Sequence, residues 1–292
     1  MNDSLSVWVA GARPRTLPAA VAPILAGSAS AAALGRYHWG IAALCLVVAL
    51  ALQVGVNYAN DYSDGVRGTD DDRVGPTRIT ASGLAAPAAV KRAAFLSFGV
   101  AALAGLGVVA WSGHWWLLVV GALAIVAAWF YTGGQRPYGY LGLGELMVFV
   151  FFGLVATVGT AYVISDAAPW HAWLAGAAVG ALAAGILVAN NLRDIPTDRI
   201  AGKMTLPARL GDRNSRLFYA ALVGLTVAAV VGFAALTTWW ALVALLAVGL
   251  LVEPLRRILG GANGRGLIPV IQSTGFAEIG IGLGLLVGTY LA

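Results

Sequence analysis

The 292 residues are 60% hydrophobic and only 11% charged, with 38 glycines. A water-soluble globular domain carries about 25% charged residues, so the composition excludes that class and points to an all-α chain that crosses a membrane repeatedly. The formal charge of +5 does not indicate nucleic acid, because the basic residues lie in short loops between apolar spans.

Apolar runs of about 17–25 residues are long enough to cross a bilayer as helices, and lipid leaves the backbone no other partner than itself. Nine such runs are expected, taken here in chain order. The first, 16–34, follows "ARPRTLP". Its arginines and small-residue end also suit a signal peptide, against which stand the polar lead from Asn2 and the prolines Pro18 and Pro23. The second, 39–59, holds Cys45, the lone cysteine, so no disulfide forms within the chain. It ends in "NYANDYSDGVRGTDDDR", which crowds five aspartates behind an apolar run. Runs 94–112 and 115–132 lead to the loop "YTGGQRPYGYLGLGE", and Glu145 opens the fifth run, 145–165, as an N-terminal acid would. The sixth, 170–190, ends in "NNLRDIPTDRIAGKMTLPARLGDR". Runs 216–237, 239–254 and 267–290 complete the set. The last contains "GLGLLVG", which reads as helix packing rather than a dinucleotide loop. It also contains Glu278, an intramembrane carboxylate that costs about 2.5–3.5 kcal/mol on insertion scales and so implies a functional or paired role.

With the N-terminus on the cytoplasmic side, every lysine and arginine except Arg36 falls on that side, as the positive-inside rule requires. Eight tryptophans, among them Trp39, Trp111, Trp170 and Trp239, fall near the outer ends, where an interfacial belt belongs. No linker separates domains, so 1–292 reads as a single integral-membrane domain. The expected architecture is a helical bundle around a central cavity open to the cytoplasm.

The two acidic loops follow the second and sixth spans and therefore open on the same side. Asn57, Asn60, Asp61 and Asp64 are three and four apart, as are Asn190, Asn191, Asp194 and Asp198. Helices continuing past the membrane edge place each set on one face. Pro196 lies between Asp194 and Asp198, so either the helix ends there or the second aspartate points elsewhere. Two such faces brought together wall a pocket with carboxylates and amides, whose mutual repulsion a divalent cation relieves. All the ligands are hard oxygens, which favours Mg²⁺ over zinc or copper. Arg67, Arg73, Arg78, Arg136, Arg193 and Lys203 stand nearby to clamp diphosphate oxygens. A calcium loop counted from Asp61 lacks both its sixth-position glycine and its final glutamate. His38, His114 and His171 lie on the outer side, far from the acids.

The pattern resembles the UbiA superfamily of intramembrane aromatic prenyltransferases. Their first motif, N-D-x-x-D, is matched by Asn60, Asp61 and Asp64, and their second, D-x-x-x-D, by Asp194 and Asp198. "ARPRTLPAAVAPILAGS", "ANDYSDGVRGTDDDRVGPTR", "YTGGQRPYGYLGLGE" and "NNLRDIPTDRIAGKMTLPARLG" narrow the likeness to the 1,4-dihydroxy-2-naphthoate prenyltransferases of menaquinone synthesis. Where the generic first motif places a third acid this chain has Gly68, with Asp70 two residues later. The resemblance implies Mg²⁺ held by Asn60, Asp61, Asp64, Asp70, Asp194 and Asp198. It implies a polyprenyl diphosphate headed among Arg67, Arg73, Arg136, Lys203 and Asn190, with Tyr131 steadying the allylic cation or the diphosphate. It implies an acceptor, 1,4-dihydroxy-2-naphthoate, whose carboxylate meets Arg15 or Arg78 near Asn57. The product is demethylmenaquinone, and the setting is the lipid bilayer of a bacterial inner (cell) membrane with the active site facing the cytoplasm. The rival readings are another aromatic acceptor, such as 4-hydroxybenzoate, and a secondary transporter. A transporter's ion sites belong near the midplane, whereas these acids gather at one edge.

Overall fold

The structure is a computed structural model and describes residues 4–69 and 77–292. Among the described residues it is helical throughout. Eleven α-helices are joined by short 3-10 turns: α1 Ser4–Ala12, α2 Pro18–Ala32, α3 Trp39–Arg67, α4 Pro87–Ser112, α5 Leu117–Phe130, α6 Gly144–Val148, α7 Ala156–Ser165, α8 Trp170–Ile200, α9 Leu206–Leu236, α10 Val252–Leu259 and α11 Ile268–Tyr290. A π-helical stretch, Phe149–Val155, fuses α6 to α7, and a 3-10 stretch, Trp239–Leu251, leads into α10.

Six of these segments are long and apolar enough to cross a membrane: Trp39–Arg67, Pro87–Ser112, Gly144–Ser165, Trp170–Ile200, Leu206–Leu236 and Gly264–Tyr290. The other three of the nine expected runs are also helical but shorter or differently wound. Pro18–Ala32 and Leu117–Phe130 are shorter apolar helices, and 239–251 winds as a 3-10 helix.

Chain-local chemistry sets the ends that matter for the site. Gly68 takes the left-handed conformation (φ 72°) that closes α3, and its N–H returns to the Asp64 and Gly65 carbonyls. Thr205 caps α9 by accepting the Ala208 N–H, with Pro207 in the first turn, where a missing N–H does no harm. Pro196 does not end α8. The helix runs through it to Ile200 and carries Asp194 and Asp198 on the same rod.

Helix α8 is the most enclosed span. Its small residues admit close neighbours: a Cβ on Gly153 of the π-helical stretch would lie 2.6 Å from the Gly180 Cα, so the two backbones touch. The "GLGLLVG" segment behaves alike. A Cβ on Gly284 would sit 2.4 Å from the Ala244 Cα, which bears out helix packing. Helices α2, α8, α9, α11 and the 239–251 stretch share one apolar core. Helices α3, α4 and α5 build a second around Tyr58, Ile79, Val90 and Phe98. Between the two groups lies the cavity that follows.

Candidate active site

The C-terminal ends of α3 and α8 meet at one end of the bundle. The Lys203 ammonium, just beyond α8, lies 3.8 Å from Asp64 Oδ2 on α3, and the Lys203 N–H donates to the Asp198 carbonyl at 2.7 Å. Tyr140, from the loop between α5 and α6, stands between them. Its hydroxyl donates to Asp64 Oδ1 at 2.7 Å, its carbonyl accepts the Met204 N–H at 3.1 Å, and the Lys203 ammonium lies 5.1 Å from its ring centre. Burial, then the charge of Asp64, pushes the Tyr140 phenol up, so it stays neutral and remains a donor.

Beneath this junction is a cavity of about 910 Å³. Its polar end is lined by Arg13, Arg15, Asn57, Asn60, Asp64, Arg78, Asn190, Asn191, Arg193 and Lys203, with Tyr131 and Thr132. Its other arm is apolar and passes Leu52, Val48, Phe151, Phe152, Val120 and Val163 as far as Cys45. Cys45 and Asp64 stand roughly 28 Å apart along α3 at 1.5 Å per residue.

The expected site residues divide by what their side chains do. Asp64 and Asn60 line the cavity. Asn60 Oδ1 accepts the Thr132 hydroxyl at 2.7 Å. Asp61 faces elsewhere: it is fully buried, its oxygens accept the backbone N–H groups of Ile79 at 3.1 Å and Thr80 at 2.8 Å, and Arg13 Nη2 lies 3.8 Å away. Its carboxylate ties down the loop before α4. Asp194 receives the neighbouring Arg193 guanidinium at both oxygens, at 2.6 and 2.7 Å, and Asp198 Oδ2 accepts the Thr205 hydroxyl at 3.3 Å. Both are buried behind the cavity wall rather than on it. Asp70 and Arg73 lie outside the described residues.

Among the basic residues, Lys203, Arg15 and Arg78 reach the cavity. Arg67 instead donates to the Thr132 and Gly134 carbonyls, and so fastens the loop after α5 to the end of α3. Arg136 is exposed and takes no part in the cavity lining. Asn57 lines the cavity but its amide is engaged, donating to the Ala12 carbonyl at 2.8 Å and the Thr16 hydroxyl at 2.9 Å. Asn57 thereby positions the turn that carries Arg13 and Arg15. Tyr131 projects into the cavity and packs edge-on against Tyr138, with ring centres 5.5 Å apart.

Residues not anticipated as site members include Tyr140, Thr132 and Arg13. Arg13 adopts a left-handed backbone (φ 52°), a conformation that costs a non-glycine residue about 1 kcal/mol or more and turns its side chain toward Asp61. Glu278 is fully buried and its Oε2 has no partner; it lies outside the cavity lining.

Among the described residues no three Asp, Glu, His or Cys side chains converge as a ready-made metal cage. Mg²⁺ does not require one, because it keeps waters and shares phosphate oxygens. The donors at this end, Asp64 and its neighbouring amides, are oxygen ligands of the kind that ion takes, so the residues fit it.

An all-helical membrane bundle with carboxylates and cations at the head of a long apolar cavity defines an intramembrane enzyme acting on a lipid with an anionic head. The chain belongs to the UbiA prenyltransferase family, whose model matches residues 20–262. It is 53% identical over 277 residues, covering 94% of each chain, to a 1,4-dihydroxy-2-naphthoate octaprenyltransferase of Mycobacterium tuberculosis. A relative of that name from Escherichia coli is 37% identical, covering 98% of this chain and 95% of its own. Among solved structures, a UbiA homologue from Aeropyrum pernix superposes with a TM-score of 0.69 at 15% identity, covering 94% of this chain and 97% of that one. A homologue from Archaeoglobus fulgidus, bound to GPP and Mg²⁺, gives 0.61 at 14% identity, covering 96% and 99%. At these identities the superpositions speak for the fold.

Proposed function

We propose that this chain transfers a polyprenyl group from a polyprenyl diphosphate to 1,4-dihydroxy-2-naphthoate with decarboxylation, in the synthesis of menaquinone. The observation that carries the proposal is the meeting of Asp64, Tyr140 and Lys203 at the polar head of a cavity whose other arm is apolar. That shape takes a charged head and a long hydrocarbon tail at once. The near-full-length likeness to naphthoate prenyltransferases supplies the acceptor.

The tail lies in the apolar arm. The diphosphate sits at the polar head within reach of Lys203 and the Asn190 amide. Asp64, with Asp194 and Asp198 behind it, would hold Mg²⁺, which would neutralise the leaving group. The allylic carbon–oxygen bond then breaks with its electron pair passing to the diphosphate, and positive charge spreads over the allylic carbons. Tyr131 offers that charge its ring face, and its neutral phenol does not add a competing anion. The acceptor lies near Arg15 and Arg78, which take its carboxylate. An electron pair of the ring forms the new carbon–carbon bond at the carboxyl-bearing carbon. The carboxylate departs as carbon dioxide and leaves its pair in the ring, giving a prenylated quinol. A separate two-electron oxidation by an external oxidant yields demethylmenaquinone. Exclusion of water by the apolar walls protects the cation.

The charge asymmetry supports a reading with the N-terminus and the polar head on the cytoplasmic side of a bacterial cell membrane, the whole chain forming one membrane domain. The test is product mass after incubating purified protein with Mg²⁺, a polyprenyl diphosphate and either dihydroxynaphthoate or 4-hydroxybenzoate. The expected product is prenylated naphthalene-diol lacking the carboxyl group. Product from 4-hydroxybenzoate alone would reassign the acceptor, and uptake of substrate into proteoliposomes with no covalent product would make the protein a carrier.

A further inference from the structure

Four asparagines border the head of the cavity; besides Asn57, held by the Ala12 carbonyl and Thr16, three have amides turned in different senses. Asn60 Oδ1 is taken by the Thr132 hydroxyl and Asn190 Oδ1 by the Arg193 guanidinium at 2.9 Å, so both present N–H groups to the cavity. Asn191 is reversed. Its Nδ2 donates to Glu145 Oε1 at 2.8 Å, which commits the N–H end of the amide to Glu145 and leaves the Oδ1 end to the cavity that the residue lines. Glu145 Oε1 is the acceptor in that bond, so Glu145 fixes which end of the Asn191 amide faces inward.

Glu145 is buried to 2% exposure, and its second oxygen is buried with no hydrogen-bond partner among the described residues. A buried acid facing one amide is poorly accounted for as a helix N-terminal charge, which solvent would serve equally well. Asn191 lies about one helical turn deeper than Asp194, roughly 4.5 Å at 1.5 Å per residue. Leu187, one turn before it on α8, meets Tyr131 at Gly144, next to Glu145, and all three of Asn191, Leu187 and Tyr131 line the cavity. N–H groups suit the diphosphate oxygens at the head. A lone carbonyl oxygen one turn below suits positive charge on the carbon next to them.

We propose that Glu145 is a positioning residue for prenyl transfer: it holds the Asn191 amide so that Oδ1 faces the allylic carbon as that carbon becomes cationic. The inference rests on the prenyl-transfer reading. As the carbon–oxygen bond breaks, its electron pair leaves with the diphosphate, and the fixed carbonyl dipole stabilises the charge left behind without reorganising.

The experiment compares full-length wild-type protein in detergent with four variants: Glu145→Gln, Asn191→Leu, the two combined, and the charge-swapped pair Glu145→Gln with Asn191→Asp. Farnesyl diphosphate and dihydroxynaphthoate are the substrates. Glu145→Gln lets the Asn191 amide turn over, and kcat is expected to fall about 30-fold with both KM values within about 3-fold. Asn191→Leu is expected to match or exceed that loss, and the double variant to be no worse than Asn191→Leu. The swapped pair restores an oxygen to the cavity and is expected to recover kcat at least about 5-fold over Glu145→Gln, with gel-filtration elution of each variant as the folding control. Four outcomes overturn the inference: unchanged kcat in both single variants, losses that multiply in the double, a swapped pair no better than Glu145→Gln, or a large rise in the Mg²⁺ needed for half-maximal rate, which places Oδ1 on the metal. Wild-type protein that forms no prenylated product overturns the transfer reading as well; an active wild type with unaffected variants overturns this inference alone.

Discussion

Tyr140 and Asp64, 76 positions apart in the chain, are joined by a 2.7 Å hydrogen bond in which the phenol donates. The bond ties the loop after α5 to the end of α3 and sets the direction of the Asp64 carboxylate. A hydrogen bond to a charged group is worth about 1.5–3 kcal/mol. Tyr140→Phe is therefore expected to lower kcat/KM about 10-fold or more and to raise the Mg²⁺ concentration for half-maximal rate. A magnesium titration of the purified variant measures both. An unaltered titration would detach Tyr140 from the metal site.

Asp64 is the carboxylate that both lines the cavity and meets Lys203. Asp64→Ala is expected to cut prenyl transfer by about 10²–10³-fold, and chelation of Mg²⁺ to abolish it reversibly in the wild type. Asp198→Ala is expected to act in the same direction. Yield in the membrane fraction and elution on gel filtration serve as the folding control. Full turnover by Asp64→Ala at ordinary Mg²⁺ concentration would falsify the assignment.

Asp61 predicts a different phenotype. Its two backbone acceptor bonds hold Ile79 and Thr80, and Asp61→Asn sets an amide N–H against one of those donors. A loss of about 1–3 kcal/mol of stability is expected, read as a lower melting temperature, with an unchanged Mg²⁺ requirement at temperatures where the variant stays folded. A raised Mg²⁺ requirement with an intact melting temperature would return Asp61 to the metal.

Arg15 and Arg78 are placed to meet the acceptor rather than the diphosphate. Arg15→Met and Arg78→Met are each expected to raise KM for dihydroxynaphthoate about 10-fold or more while leaving KM for the prenyl diphosphate within about 3-fold. Initial-rate kinetics with each substrate varied in turn separates the two. An effect confined to the prenyl diphosphate would move these arginines to the head group.

Much of this was legible in the chain itself. Spans as apolar as 94–112 leave no alternative to helix in lipid, and the three- and four-residue spacing of Asn57, Asn60 and Asp64 carried over into a shared cavity face. The same spacing could not show that Asp61, about 40° around α3 from Asn57 at 100° per residue, turns to the loop at Ile79 instead. A helical face is wider than a site, and the loop packed against it decides which acids remain available. Tyr140 and Thr132 were invisible for another reason. Each is a single residue in a loop, and only the fold brings it to the end of a distant helix. Arg67 and Arg136 illustrate the converse: cations near an acidic motif in sequence can serve a carbonyl or the solvent. Apolar length alone did not show how each run winds: the stretch from 239 to 251 is a 3-10 helix, which rises differently from an α-helix.

The apolar arm that runs from the carboxylates toward Cys45 also gives the chemistry a direction. Once the bond to the diphosphate is broken, nothing charged remains on the tail for Lys203 to hold. The inorganic coproduct belongs to water at one end, and the uncharged quinol belongs to the hydrocarbon at the other. Products that part into separate phases do not meet again at the site, so dispersal into two media, together with escape of the gas, makes each turnover a one-way event.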